Sequence, residues 1–340
     1  MKLAALLASF ALAFALSATP AAARERIYYI AADEMLWNYA PSHRDLIAGK
    51  PLPPLQISQI GWVFHKIVYR QYTDASFEAL APIPVQDRYE GIVGPTIRAE
   101  VGDTVVVVFR NHTDEPVDIA PAGLYSDPAP AAVKPEATVT YRWPIRESVG
   151  PGPSDVSSVL YTYGSDVDQT RDENVGLIGP LIVTRWGDAR PDGSPKDVDR
   201  EIVTLFSSQA EGRSLLIGQN LSDPKLNPRH ITRKSRLFDL SNVFPSINGY
   251  VFGNMPVPVM RVGQHVRWYL LSTQNDVDGH APTWDGGTVL SSGNRVDTVG
   301  LITPHSVADM VPDDPGQWLF ICMLNVHLVA GLEATYRVTP

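Results

Sequence analysis

The sequence predicts an all-β chain folded as two β-sandwiches in tandem. Turn-forming residues are dense, with 29 Pro and 25 Gly among 340 residues. Apolar residues gather in short valine- and isoleucine-rich runs, and long stretches with helical 3.6 spacing are scarce. The second half of the chain also repeats the plan of the first.

In chain order, "PTIRAEVGDTVVVVFRN" reads as an extended run, a Gly-Asp turn and a valine-rich strand. "ATVTYRWPI" and "GLIGPLIVTRW" supply further strands of the first half. "REIVTLFSS" opens the second half, and "PVMRVGQHVRWYLLS" repeats the strand-turn-strand plan. "RVDTVGLITP" and "GLEATYRVTP" add strands toward the end, while "DLIAGKPLP" reads as a helical or irregular turn. Each half has a Val-Gly turn before a strand, at Val101-Gly102 and Val262-Gly263. Each also has a Gly-Leu pair near its end, at Gly176-Leu177 and Gly331-Leu332. The polar, Pro- and Gly-bearing stretch 186–200 is the expected linker, which places the two domains at 24–187 and 188–340.

Composition narrows the function. Hydrophobic residues make up 44% and charged residues 19%, enough for two cores without disulfide staples. A formal net charge of -9 argues against a nucleic-acid partner and against anionic membrane surfaces. Residues 1–23 have the form of an export signal: Lys2, an apolar run from Leu3 to Ala18, and small residues before Arg24. No later segment is apolar enough to span a membrane. A periplasmic or secreted protein is therefore expected, with no membrane span once the signal is removed.

The single cysteine, Cys322, has no internal disulfide partner. Its residue type leaves three readings: a core thiol, an intermolecular bridge or a metal ligand. The neighbours favour the last. His327 lies five residues on, Leu332 five beyond that, and His280 lies upstream in "DVDGHAPTWDGG". One thiolate and two imidazoles around a weak axial position make the donor set of a type 1, or blue, copper site. Leu332 in the axial place cannot coordinate, which should favour Cu(I). Asp276 and Asp278 would form an acidic rim there, or simply a solvated loop. Trp284 and Trp318 lie near this corner in sequence and read as core.

"YYIAADEMLWNYAPS", "KIVYRQYTDASF", "GIVGPTIRAEVGDTVVVVFRN" and "GLIGPLIV", followed by "INGYVFGNMP", "GQHVRWYLLS", "ADMVPDDPGQWLF" and "VHLVAGLEATYRV", resemble the ceruloplasmin and coagulation-factor A-domain branch of the multicopper oxidases. The resemblance covers nearly all of the chain after residue 27. It implies two tandem cupredoxin domains, Greek-key β-sandwiches, with a copper site in the second only. It matches His280, Cys322 and His327 to ligands and Leu332 to the axial position. The family's oxygen-reducing cluster is held by four His-x-His motifs, and here their eight positions carry Ala120 and Ala122, Gly164 and Asp166, Thr283 and Asp285, Ile321 and Met323. No two of the eight histidines are separated by a single residue.

The expectation is one type 1 copper per chain and one-electron transfer with a redox partner protein or a small reductant. The homotrimer of two-domain relatives is the implied assembly. Asp166 and Asp285 would then approach across the interface, where they would bind a harder cation, pair with Arg or Lys, or stay solvated. Two other readings stand beside electron transfer: copper storage, delivery or sensing, and a ferroxidase-like oxidase with a non-standard second metal centre.

Overall fold

The structure is a computed structural model that describes residues 23–234, 237–273 and 279–340. Nearly all of the expected export signal, and both Asp276 and Asp278, lie outside the described residues. The first sandwich is built from β1 (Glu25–Asn38), β2 (Val63–Tyr72), β3 (Ile97–Glu100), β4 (Thr104–Asn111), β5 (Ala120–Pro121), β6 (Thr138–Pro144), β7 (Ser158–Gly164) and β8 (Ile178–Thr184). One sheet has the order β2-β1-β4-β6 and the other β3-β8-β7-β5. The second sandwich uses β9 (Arg200–Ala210), β10 (Val243–Ile247), β11 (Val259–Arg261), β12 (Val266–Ser272), β13 (Pro282–Trp284), β14 (Val289–Ser291), β15 (Asn294–Val296), β16 (His305–Met310), β17 (Gly316–Cys322) and β18 (Glu333–Thr339). Its sheets run β10-β9-β12-β16-β14-β15 and β11-β18-β17-β13.

The repeat in the sequence corresponds to a repeat in topology. β1 pairs in parallel with β4, and β9 pairs in parallel with β12. Likewise β3 pairs in parallel with β8, and β11 with β18. Each half is thus a mixed two-sheet sandwich of the same plan, consistent with the tandem cupredoxin domains that the resemblance implies. The stretch "DLIAGKPLP" forms a small hairpin, Arg44–Asp45 paired with Lys50–Pro51. "RVDTVGLITP" gives only the short β15 and isolated bridges at Thr298 and Leu301, less strand than expected.

Strand alternation explains how four sheets stack. Successive side chains of a strand point to opposite faces. In β8, Leu181 and Val183 enter the first domain's core, while Ile178 and Ile182 enter a second apolar layer. In β9, Ile202 and Phe206 enter the second domain's core, while Val203 and Leu205 face that same layer. β12 divides in the same way: Trp268 and Leu270 on one side, Tyr269 and Leu271 on the other. Every residue of β8 and β12 is therefore buried, as expected of strands covered on both faces. The interdomain layer adds an apolar seam between the two sandwiches.

A further cluster crosses the junction at one edge, joining Trp37, Tyr39, Phe64 and Ile92 to Phe238, Phe244 and Phe252. Polar groups seal it. Asn248, fully buried with φ +53°, donates from its side chain to the carbonyls of Tyr89 and Val203 and accepts from the Leu205 amide. Lys66 and Glu211 form a fully buried ion pair across the domains. The Lys66 ammonium also donates to the Asn174 carbonyl and the Gln209 side chain, and the Tyr39 hydroxyl donates to Glu211. Among the described residues no helix is long and apolar enough to cross a membrane.

Candidate metal centre

His280, Cys322 and His327 come together at one end of the second sandwich. Cys322 is the last residue of β17, opposite Pro282 of β13. Its amide donates to the Leu332 carbonyl (3.3 Å) and the Met323 amide to the Ala281 carbonyl (3.0 Å). His280 is held by reciprocal backbone bonds with Leu301, of 3.0 and 2.9 Å. His327 sits on a single helical turn, Asn325–Leu328. Its carbonyl accepts from the amides of Leu332 and Ala330, so segment 322–332 closes on itself. Gly331 has φ +97°, and a Cβ there would lie 2.8 Å from the Phe252 ring, so the turn into β18 calls for glycine.

The three side chains are 3%, 0% and 5% exposed. The Cys322 sulfur lies 3.6 Å from Nδ1 of His327 and 4.0 Å from Nδ1 of His280. The two imidazole centroids are 4.8 Å apart. The Ala281 amide donates to the sulfur at 3.3 Å. Burial pushes the thiol up, but hydrogen bonds from His280, His327 and the amides of Ala281 and Leu324 outweigh it and bring it down to about 6. The pocket therefore favours the thiolate, the form that binds metal.

Among the described residues, the ligand atoms of this group of three lie within 4.8 Å of one another. Bonds of about 2.0–2.3 Å to nitrogen and sulfur need donors spaced on this scale. The donor set fits a soft or borderline ion and does not fit Mg²⁺ or Ca²⁺, which prefer oxygen. Leu332 is fully buried in the same apolar cluster as Cys322 and brings no donor.

The other singled-out residues are dispersed. Asp166 and Asp285 are both exposed. The Asp166 amide donates to the Asp118 carboxylate, and the Asp285 amide to the Leu319 carbonyl. Ala120 of β5 lies directly opposite Gly164 of β7, and Thr283 of β13 opposite Ile321 of β17. Trp284 is core, in edge contact with Trp268 and tilted against Phe320. Sequence reading missed the helical turn under His327 and the Ala281 amide at the sulfur. Four residues carry no periodicity, and a backbone donor leaves no trace in residue type.

A family profile described as multicopper oxidase matches residues 85–188. Ferroxidase HEPHL1 of Homo sapiens is 34% identical over 92% of this chain and 29% of its own length. Ceruloplasmin of Mus musculus is 35% identical over 92% of this chain and 32% of its own length. The chain belongs to the ceruloplasmin-like multicopper oxidases. It spans about a third of the length of these curated relatives. Among solved structures, the multicopper oxidase mgLAC covers 94% of this chain, and the match covers 88% of mgLAC, with TM-score 0.59 and 17% identity. For a copper nitrite reductase from Nitrosomonas europaea the figures are 93% and 94%, TM-score 0.56 and 15% identity. These structures share the fold. Membership of the family implies copper binding, and the thiolate-diimidazole group has suitable donors for it.

Proposed function

We propose that this is an exported copper protein with a single type 1 site in its second domain, carrying one electron at a time without an oxygen-reducing cluster. The observation that carries the reading is the convergence of three buried donors, His280, Cys322 and His327, in a chain with no His-x-His motif. Cys322 would be the thiolate ligand, His280 and His327 the imidazole ligands, and Leu332 the non-coordinating axial neighbour. A copper held there would supply reversible one-electron transfer.

The chain's own part is to fix these donors and keep water out. Reciprocal backbone bonds hold His280, and the closed 322–332 segment holds the other two. A donor set locked in this way changes little between oxidation states. Exposed Met323, Val326 and Val329 flank His327 in sequence and offer an apolar rim to a redox partner protein or small reductant. Replacement of the eight cluster positions favours electron transfer over oxygen reduction. Exposed Asp166 and Asp285 lend no support to a second metal centre within one chain; in a homotrimer they would meet only between copies.

The test is reconstitution with Cu(II), followed by the visible spectrum and copper content. An intense band near ~600 nm, expected of a blue site, with one copper per chain and loss of both in Cys322→Ser, is the expected result. A colourless protein that takes up no copper would refute the reading. Two or more coppers per chain would return the ferroxidase-like reading.

A further inference from the structure

Away from the metal centre, a cavity of about 590 Å³ opens at the junction of the two domains. Its volume lies in the range of small-molecule sites. Met35, Val68, Leu80, Ile83, Ile92 and the Tyr250 ring supply apolar wall. Gly91, at φ +60°, lets the chain turn tightly here; a Cβ on it would lie 2.2 Å from the Asn248 carbonyl and 2.7 Å from the Tyr250 ring.

Five charged residues line the cavity, and their pairing decides what it can take. Arg98 is bound to Glu201 at 2.8 Å, Asp87 to Arg200 at 2.7 Å, and Arg70 lies 3.9 Å from Asp33. Among the described residues, neither the solvent-exposed side chain of Arg88 nor the part-buried one of Glu90 has a hydrogen-bond or ion-pair partner in the protein. The buried Thr96 hydroxyl is also without a partner. Burial pushes the Glu90 carboxyl up to about 7; Asp87 and Glu201 add to this, and Arg98 and Arg200 oppose it. A carboxylate so placed is costly unless a cation or donor reaches it. A part-buried carboxylate without a direct partner, an exposed guanidinium two residues before it and apolar walls together suit a ligand with both charges and an apolar body.

We propose that this cavity binds a small zwitterion with an apolar side chain, of the class of apolar α-amino acids, its ammonium on Glu90 and its carboxylate on Arg88. The site is independent of the metal centre and of the function proposed for it.

The test is calorimetric titration of the whole protein at pH 8 with L-phenylalanine, 2-phenylethylamine and phenylacetate. Saturable binding of L-phenylalanine is expected, with each singly charged analogue at least about tenfold weaker. Glu90→Gln and Arg88→Met should each weaken L-phenylalanine by a similar factor, and Ala81→Trp, which fills the cavity, should abolish binding. Far-UV circular dichroism checks that each variant is folded. The wild-type affinity should also fall as pH is lowered from 8 to 6 and Glu90 takes up its proton. No saturable heat with L-phenylalanine at millimolar concentration, or equal affinity for all three probes, overturns the proposal. Unchanged affinity in a folded Glu90→Gln variant does the same.

Discussion

At the scale of single residues, the metal centre and the part-buried Glu90 carboxyl make separate predictions. Leu332 offers the proposed copper no axial donor. Leu332→Met would add a thioether, stabilise Cu(II) relative to Cu(I), and lower the reduction potential measured by redox titration. An unchanged or higher potential would remove Leu332 from the axial role. Glu90 predicts a stability slope. Its ordinary value is 4.5 and its folded value about 7, so between these limits the folded state holds a proton that the unfolded state has released. Stability should fall as pH rises from 4.5 to 7 and level off above it. Glu90→Gln removes that contribution, about 2–3 kcal/mol at pH 8, which urea unfolding of both proteins at pH 5 and pH 8 would measure. The metal donors were legible because Cys322 is unique and its histidine neighbours fall at a suggestive spacing. Lys66, Glu211 and Asn248 were not: in sequence each is an ordinary polar residue, and their partners lie across the junction of the two domains.

At the scale of elements, β8 shows what a strand alone reveals. Its apolar residues, Ile178 and Leu181 to Val183, read as a strand without naming what covers either face. The structure supplies the answer, a domain core on one side and the interdomain layer on the other. Such a strand tolerates little added volume. A Cβ on Gly179 would lie 2.2 Å from the Tyr163 ring, whose hydroxyl is anchored to the Pro95 carbonyl. Gly179→Ala should therefore cost about 1–3 kcal/mol, visible as a lower urea midpoint. Longer elements such as β4 and β12 were legible from their composition. The Arg44–Asp45/Lys50–Pro51 hairpin was not, because two-residue strands have no pattern to read.

At the scale of the whole molecule, the two sandwiches share buried surface through Val203, Leu205, Tyr269 and Leu271, and they share the Lys66–Glu211 pair. Burial pushes the Lys66 ammonium down and the Glu211 carboxyl up, and each partner opposes the other's shift. Removing one partner leaves a buried charge uncompensated. Lys66→Met should cost about 3–5 kcal/mol, while Lys66→Met combined with Glu211→Leu should recover most of it. Calorimetry should show one transition for the wild type and a separated second transition for Lys66→Met. Two transitions in the wild type would mean that the apolar layer does not couple the domains.

The position of Cys322 at the end of β17 also matters for the order of events during folding. Its cover comes from distant parts of the chain: β9 pairs with β12 more than sixty positions on, and the 322–332 segment is closed only when β18 docks between β11 and β17. Sheets built from such separated strands assemble slowly. The one thiol is thus among the last groups to be sheltered, and until the pocket closes it is open to oxidation as any exposed thiol is. Refolding in air at high protein concentration should trap disulfide-linked dimers, which a thiol reductant prevents, whereas the finished fold should resist alkylation.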